Sequence, residues 1–351
     1  ILLLSPVLLI ISLGLFVLYS ASDQDWGVMA RQLRNFVIGF GALLLVAQIR
    51  IDTIQRLSPF VYLAALVLLL LVPFFGADAK GAQRWLSVGF IRFQPSEIMK
   101  VGMPLMVTAL IVRNGVPPRL RFTVIALLLI ALPVGTIIVQ PDLGTAILVA
   151  SSGLVVLFMA GISWWQISAG MTSALLCVWP AWLFLLRDYQ KQRIYTLFNP
   201  EADKLGAGWN IIQAKTAIGS GGWAGKGWLQ GTQSHLDFLP ESQTDFIIAV
   251  LAEEWGLRGV LCLLVLYAAI VARGFWISMY AGTAFGRVLA SAVTLTFCVY
   301  VFVNMGMVAG ILPVVGVPLP LVSYGGTSIV TLMLGLGILC AISTEKRIIG
   351  K

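Results

Sequence analysis

Histidine is nearly missing from this sequence: His235 is the only one among 351 residues. One histidine cannot build a recognisable zinc site, which needs several nitrogen or sulfur ligands. Charge is scarce as well. Asp, Glu, Lys and Arg make up 11% of the chain, against roughly 25% in an ordinary soluble domain, so there is too little polar surface to wrap a water-soluble core. The four cysteines, Cys177, Cys262, Cys298 and Cys340, each lie inside an apolar run, where a thiol behaves as a small buried hydrophobe. Neither a disulfide framework nor a metal knot is expected from them. Internal repeats, low-complexity tracts and a separate soluble domain are lacking. The chain opens at Ile1 within an apolar run and without a methionine, so a short preceding segment is expected, and that run is too long for a cleaved signal peptide.

Apolar residues are what the sequence has instead, at 59% of the total with a mean hydropathy of +0.95. The solvent for such a chain is lipid, and a bilayer core takes about 20 apolar residues per helical span. Runs separated by polar breaks predict ten helices near 1–20, 32–49, 58–75, 97–112, 122–139, 144–160, 166–186, 246–272, 288–312 and 326–343. The expected fold is an all-α polytopic membrane protein, one integral membrane domain over 1–351. Its first large outer loop is 76–96, and a larger extracytoplasmic loop, 187–245, joins helices 7 and 8.

With the first terminus in the cytoplasm, the inside segments carry Arg50, Arg56, Arg113, Arg119, Arg121, Arg273, Arg287, Lys346, Arg347 and Lys351 against Asp52 and Glu345. The remaining charges balance, so the formal net charge of +8 lies on one face. This is the positive-inside asymmetry and puts both termini in the cytoplasm. The basic character therefore reports topology, and nucleic acid is not expected as a partner. Segment 187–245 holds six basic and six acidic residues and is rich in Gly, Trp and Gln. A long, charge-balanced loop of that kind points to a ligand, with a solvated cap over the bundle as the plainer alternative.

Candidate chemistry gathers at the expected outer rim. Thr244-Asp245-Phe246 leads into an apolar helix, so Ser242 or Thr244 can cap it and Asp245 falls in its first turn. A carboxylate there can accept a proton from a sugar hydroxyl or hold a divalent cation, and it can equally be plain capping chemistry. Glu253 and Glu254 follow on the same helix, with Arg258 at helical spacing from Glu254. The first outer loop and the helix after it supply Lys80, Arg84, Arg92 and Lys100, with Glu97 three residues before Lys100. Four cations near one rim suit an anionic headgroup such as a pyrophosphate, though basic residues and Trp also anchor at bilayer rims. The large loop adds Arg193, and Gly219–Gly222 with Gly225-Lys226-Gly227 could fold as a phosphate nest or as simple tight turns. Asp142 in Gln140–Thr145 reads as a helix N-cap.

Taken in order, Lys80–Leu86, Gln94–Lys100, Gln140–Thr145, Gly206–Gln213, Ala217–Gly231, Phe238–Glu254 and Asn304–Gly326 resemble the SEDS family of shape, elongation, division and sporulation proteins, and most closely its rod-shape branch. The last run contains Gly310–Pro320 and Ser323-Tyr324-Gly325-Gly326. The likeness covers nearly the whole chain. It implies a ten-helix peptidoglycan glycosyltransferase of the bacterial cytoplasmic membrane. Its substrate would be lipid II, an undecaprenyl pyrophosphate-linked disaccharide peptide, and its partners a class B penicillin-binding protein transpeptidase and other elongation-complex membrane proteins. It makes Asp245 the catalytic residue and the ligand for Mg²⁺ or Mn²⁺, with no organic cofactor, and carries Trp85 and Lys100 into the substrate site beside Arg84, Glu97, Arg193, Lys226 and Ser323. Asp237 stands where relatives often have Glu. A lipid II flippase and a non-catalytic scaffold for cell-wall synthases are the competing readings.

Overall fold

The computed structural model describes residues 2–79, 82–88, 91–203, 206–232 and 241–345. Lys80, His235, Asp237, Lys346, Arg347 and Lys351 lie outside them. The helices in chain order are α1 (Leu4–Ala21), α2 (Trp26–Ala47), α3 (Ile51–Phe75), α4 (Pro95–Asn114), α5 (Leu120–Val139), α6 (Leu143–Met159) and α7 (Trp164–Pro180). They continue with α8 (Asp188–Phe198), α9 (Ala207–Gly221), α10 (Ile247–Tyr280), α11 (Ala284–Val308) and α12 (Thr327–Thr344). Among the described residues, nine helices are long and apolar enough to cross a membrane, α7 being counted with the π-helical turn that follows it. The tenth expected span, α6, has 17 residues, about 25 Å at 1.5 Å per residue, still within the range that spans a bilayer.

The apolar surface is turned outward as well as inward. No residue of α7 is buried, and its Trp164, Trp165, Leu175, Leu176 and Trp179 are all exposed. A helix of that composition with no buried face requires an apolar surrounding, which lipid provides.

Two compact units interleave along the chain. One comprises 1–34, 170–270 and 300–326, the other 35–169, 271–299 and 327–351. The second is cored by Tyr62, Leu69, Met99, Met103, Ile111, Ile130, Ile137, Val149 and Val156 from α3, α4, α5 and α6. Lipid tails remove the hydrophobic drive between such helices, so close packing has to hold them. Asp142 caps α6, its carboxylate accepting from the amide of Thr145 at 3.2 Å and its hydroxyl at 2.9 Å, as the sequence pattern predicts.

Several boundaries differ from expectation. α2 begins at Trp26 instead of 32, its added turns being mainly apolar, and α3 begins at Ile51 instead of 58, because Asp52, Thr53, Gln55 and Arg56 ride on its first turns rather than in a loop. The segment expected as the first outer loop is a small antiparallel sheet, β1 (Ala77–Ala79), β2 (Ala82–Val88) and β3 (Ile91–Phe93), with Ala77 opposite Trp85 and Leu86 opposite Phe93. The large loop contains α8 and α9. α11 stops at Val308, four residues short of expectation.

The most consequential departure lies within α10, whose 34 residues are interrupted at Gly256, at φ 65° and ψ −164°. That conformation is confined in practice to glycine. The segment after α9 inserts at the break. Lys226 and Gly227 amides donate to the carbonyls of Glu253 and Glu254, both at 2.9 Å, and the Leu257 amide donates to Gly222 O at 2.9 Å. The carbonyls and amides that a broken helix releases are thereby satisfied by protein, as low-dielectric surroundings demand. These bonds also correct the phosphate-nest reading of Gly225-Lys226-Gly227: two of the three amides are engaged by α10 and the third, on Gly225, by Gly221 O.

Glu345, just past α12, accepts from the Thr283 hydroxyl at 3.4 Å. Burial raises its carboxyl above the usual glutamate range, the Thr283 bond opposing and the neighbouring Asp52 charge adding. A raised folded pKa in an acid disfavours the ionised folded form above that pKa and ceases to matter below the unfolded value of about 4.3.

Two outcomes are expected. Gly256→Ala places a Cβ against Gly225 N and Trp223 O and should cost about 2 kcal/mol or more, seen as a lower melting temperature in detergent. Glu345→Gln should raise the melting temperature at neutral pH, with the gain vanishing as the pH falls to about 4.

Candidate functional site

Asp245 lies in the turn Glu241–Phe246, not in the first turn of α10, which begins at Ile247. The capping expectation is corrected accordingly. Thr244 donates its hydroxyl back to the Glu241 carboxylate at 2.8 Å, and Ser242 donates to Ala21 O at 3.4 Å, so neither caps the helix. The turn is held through its backbone instead. Asn304 of α11, fully buried, donates from Nδ2 to Asp245 O at 2.9 Å and to Val317 O at 2.7 Å. Ser323 donates to Thr244 O and accepts from the Leu319 amide at 2.8 Å. The Tyr324 amide donates to Gln243 O at 2.9 Å.

Behind the Leu319–Tyr324 segment, Gln32 of α2 donates to Ser323 O at 3.0 Å and accepts from the Gly325 amide at 3.3 Å, and the Tyr267 hydroxyl donates to Pro320 O at 2.7 Å. The side chain of Asp245 is half-buried. Gly316, at φ +76°, stands beside it, and a Cβ there would lie in ordinary contact, 3.4 Å from Oδ2. The carboxylate is thus set on a backbone immobilised from two sides. Ser323, expected to touch substrate, is 2% exposed and uses its hydroxyl inside the protein.

Lys226 carries an internal partner too. Its ammonium lies 2.6 Å from Oε1 of Glu253, which is fully buried, and 2.8 Å from the Thr232 hydroxyl. Glu253 Oε1 also accepts from the Thr232 amide at 2.8 Å. Glu254 accepts from the Ser20 hydroxyl of α1. Arg258, expected beside Glu254, instead donates to Ala224 O at 2.9 Å, because the break at Gly256 interrupts the helical spacing between them. Arg193 sits half-buried on α8.

The other unit holds the first-loop residues. Arg84 on β2 donates from Nη2 to Pro141 O at 2.5 Å, while its buried Nε has no hydrogen-bond partner among the described residues. Trp85 is half-buried beside it on the same strand. Glu97 and Lys100, both 7% exposed, pair at 2.7 Å in the first turns of α4, with Glu97 Oε2 left buried without a hydrogen bond. Gln94 donates to Asp142 at 2.9 Å. The predicted site residues therefore fall into two sets: Asp245, Ser323, Lys226 and Arg193 in one unit, and Arg84, Trp85, Glu97 and Lys100 in the other. No cluster of three or more His, Cys, Asp or Glu able to hold a metal occurs among the described residues.

Residues that the sequence reading passed over do much of the positioning: Asn304, Gln32 and Ser20. Their signal was polar side chains within otherwise apolar helices, where an unpaired amide or hydroxyl is costly and so implies a partner. The Lys226–Glu253 pair generates a test. Lys226→Met leaves a fully buried carboxylate without its cation and should destabilise by about 3–5 kcal/mol. Adding Glu253→Gln should restore most of that, a non-additivity read from thermal unfolding of the two single variants and the double variant.

The geometry can be set beside known proteins. The family model described as FtsW/RodA/SpoVE, cell cycle protein, matches residues 1–348. Peptidoglycan glycosyltransferase MrdB of Escherichia coli strain K12 is 52% identical over 353 aligned positions, covering 99% of this chain and 95% of the relative. The probable peptidoglycan glycosyltransferase FtsW of Pseudomonas fluorescens is 32% identical, covering 98% and 88%. Among solved structures, a chain from work on the structural coordination of polymerization and crosslinking by a peptidoglycan synthase complex superposes with a TM-score of 0.86 at 31% identity, covering 99% and 98%. The rod shape determining protein RodA of Thermus thermophilus gives 0.73 at 29%, covering 97% and 95%. Match length, identity and fold agree, and the chain belongs to the FtsW/RodA/SpoVE family, the SEDS proteins.

Proposed function

We propose that this chain is a peptidoglycan glycosyltransferase of cell elongation, polymerising lipid II into glycan strands on the outer face of the cytoplasmic membrane. The observation that carries the reading is the Asp245 carboxylate, held on a doubly braced turn at the mouth of a membrane helix. The likeness to relatives named for this activity supports it.

In this reading Asp245 takes the proton from the 4-hydroxyl of the acceptor sugar as that oxygen attacks the anomeric carbon of a donor bearing undecaprenyl pyrophosphate. The bond to pyrophosphate breaks, and the configuration inverts from α to β. Pyrophosphate leaves readily, so a second acid to protonate it, as glycoside hydrolysis uses, is not required. Arg84 engages Pro141 through one N–H and offers other donors to a phosphate; Arg193, Lys100 and Lys226 are further candidates. Lys100 and Lys226 already face Glu97 and Glu253, which lowers the net charge they present. Trp85 and Glu97 would contact the saccharide or its linkage. Mg²⁺ or Mn²⁺ would be held by Asp245 with substrate phosphate oxygens, which fits a one-carboxylate donor set, and such an ion neutralises charge on a leaving phosphate.

The positive-inside asymmetry supports an orientation with both termini cytoplasmic. The likeness to a synthase-complex chain supports a cross-linking partner, which we take to be a class B penicillin-binding protein acting with other elongation-complex membrane proteins. A flippase is the second reading, favoured by the broken α10, since transporters use discontinuous helices at their sites. Here, however, four backbone groups beside the break are bonded to the 222–227 segment, which makes it a joint rather than a binding station.

Purified protein without partners should make glycan strands from lipid II on a gel, which a scaffold or a flippase would not do. Asp245→Asn should lower the rate about 100-fold or more with an unchanged melting temperature. Full activity in that variant would remove Asp245 from the chemistry.

A further inference from the structure

A cavity of about 550 Å³ opens between α3 and α4, away from every residue assigned to polymerisation. Its wall combines two kinds of surface. Arg56 from the second turn of α3 and Arg113 from the last turn of α4 line it together with Gln55 and Asp52. Beyond them, Pro59, Met106 and Leu110 continue the lining with apolar atoms. Met106 is seven residues from Arg113, about 10 Å along a helix, so a charged mouth gives way to a greasy wall over the length of an upper acyl chain.

The charges at the mouth are not cancelled. Asp52 has Arg50 at 3.6 Å, whereas neither Arg56 nor Arg113 has a hydrogen-bond or ion-pair partner among the described residues, and both are exposed. Two open guanidiniums suit a phosphodiester, which arginine grips through paired N–H donors. Pro59 adds a second feature. It has no N–H, so the carbonyl of Gln55, four residues earlier, lacks its helical donor. A hydroxyl on the ligand would satisfy that carbonyl, and the Asp52 carboxylate is a further acceptor beside it.

We propose that the cavity between α3 and α4 is a binding site for an anionic glycerophospholipid with a hydroxylated headgroup. Phosphatidylglycerol has the required chemistry: its phosphate lies between Arg56 and Arg113, its headgroup hydroxyls point to Gln55 O and Asp52, and an acyl chain runs along Pro59, Met106 and Leu110. Both arginines belong to the basic face, so the lipid comes from the leaflet on that side. The site is independent of the polymerisation reading, and its test does not use activity.

The experiment is native mass spectrometry of the full chain in detergent, titrated with phosphatidylglycerol, phosphatidylcholine or glycerol 3-phosphate. The wild type should retain phosphatidylglycerol in preference to phosphatidylcholine, and Arg56→Gln with Arg113→Gln should weaken that retention about tenfold or more. The control pair Arg119→Gln with Arg121→Gln, on the same face and outside the cavity, should bind as wild type does. Leu110→Trp fills the apolar wall while keeping both arginines and should also release the lipid, which covers the case of a double arginine variant that fails to fold. Undiminished retention in the folded arginine variant or in Leu110→Trp, equal loss in the control pair, or equal binding of phosphatidylcholine would overturn the site. Displacement of phosphatidylglycerol by glycerol 3-phosphate at similar concentration would overturn the lipid as its source and point to a soluble phosphate.

Discussion

A backbone amide or carbonyl without a partner is costly in hydrocarbon, and α10 breaks its own ladder at Gly256 near the charged end of the helix. The architecture of this unit depends on how that debt is settled. The segment following α9 lies across the break, donating two amides to Glu253 and Glu254 and accepting from Leu257. The long segment between α7 and α10 is consequently bonded to the same helix that Asp245 precedes. Glu253 reinforces the seam with its side chain, holding Lys226 and Thr232 at once. Burial of the carboxylate at this point is tolerable because three donors converge on it.

A side chain on a turn is positioned only as well as the turn's backbone is held. The turn carrying Asp245 is held by side chains that reach its backbone. Asn304 links it to the Val317 strand of chain, and Ser323 links it to the Leu319 turn. Gly316 stands beside the half-buried carboxylate. The first-loop unit follows the same logic with different parts: a short sheet presents Arg84 and Trp85, and the first turns of α4 present a buried Glu97–Lys100 pair.

The spans and their order were legible because lipid writes a simple rule into the sequence, long apolar runs with polar breaks. All ten runs correspond to helices, with the start of α3 displaced because polar residues such as Asp52, Gln55 and Arg56 sit inside it. The loop interiors were harder to read. Ala82–Val88 alternates too weakly to announce a strand, and α8 and α9 lack the long apolar stretch on which the reading relied. Asp142 was legible as a cap because that chemistry is local. The partners of Lys226, Glu254 and Ser323 were not, since Glu253, Ser20 and Thr244 lie 27, 234 and 79 residues away in sequence. The break at Gly256 hid for the same reason: one glycine in an apolar run reads as helix until the segment that replaces its bonds is known.

Amide hydrogen exchange tests the joint between loop and helix most directly. If the 222–227 segment is bonded into α10, the amides of Lys226, Gly227 and Leu257 should be protected for as long as those of the flanking helix, although two of them lie outside any helix. Exchange of these three at the rate of open loop amides, with the rest of α10 protected, would contradict the account.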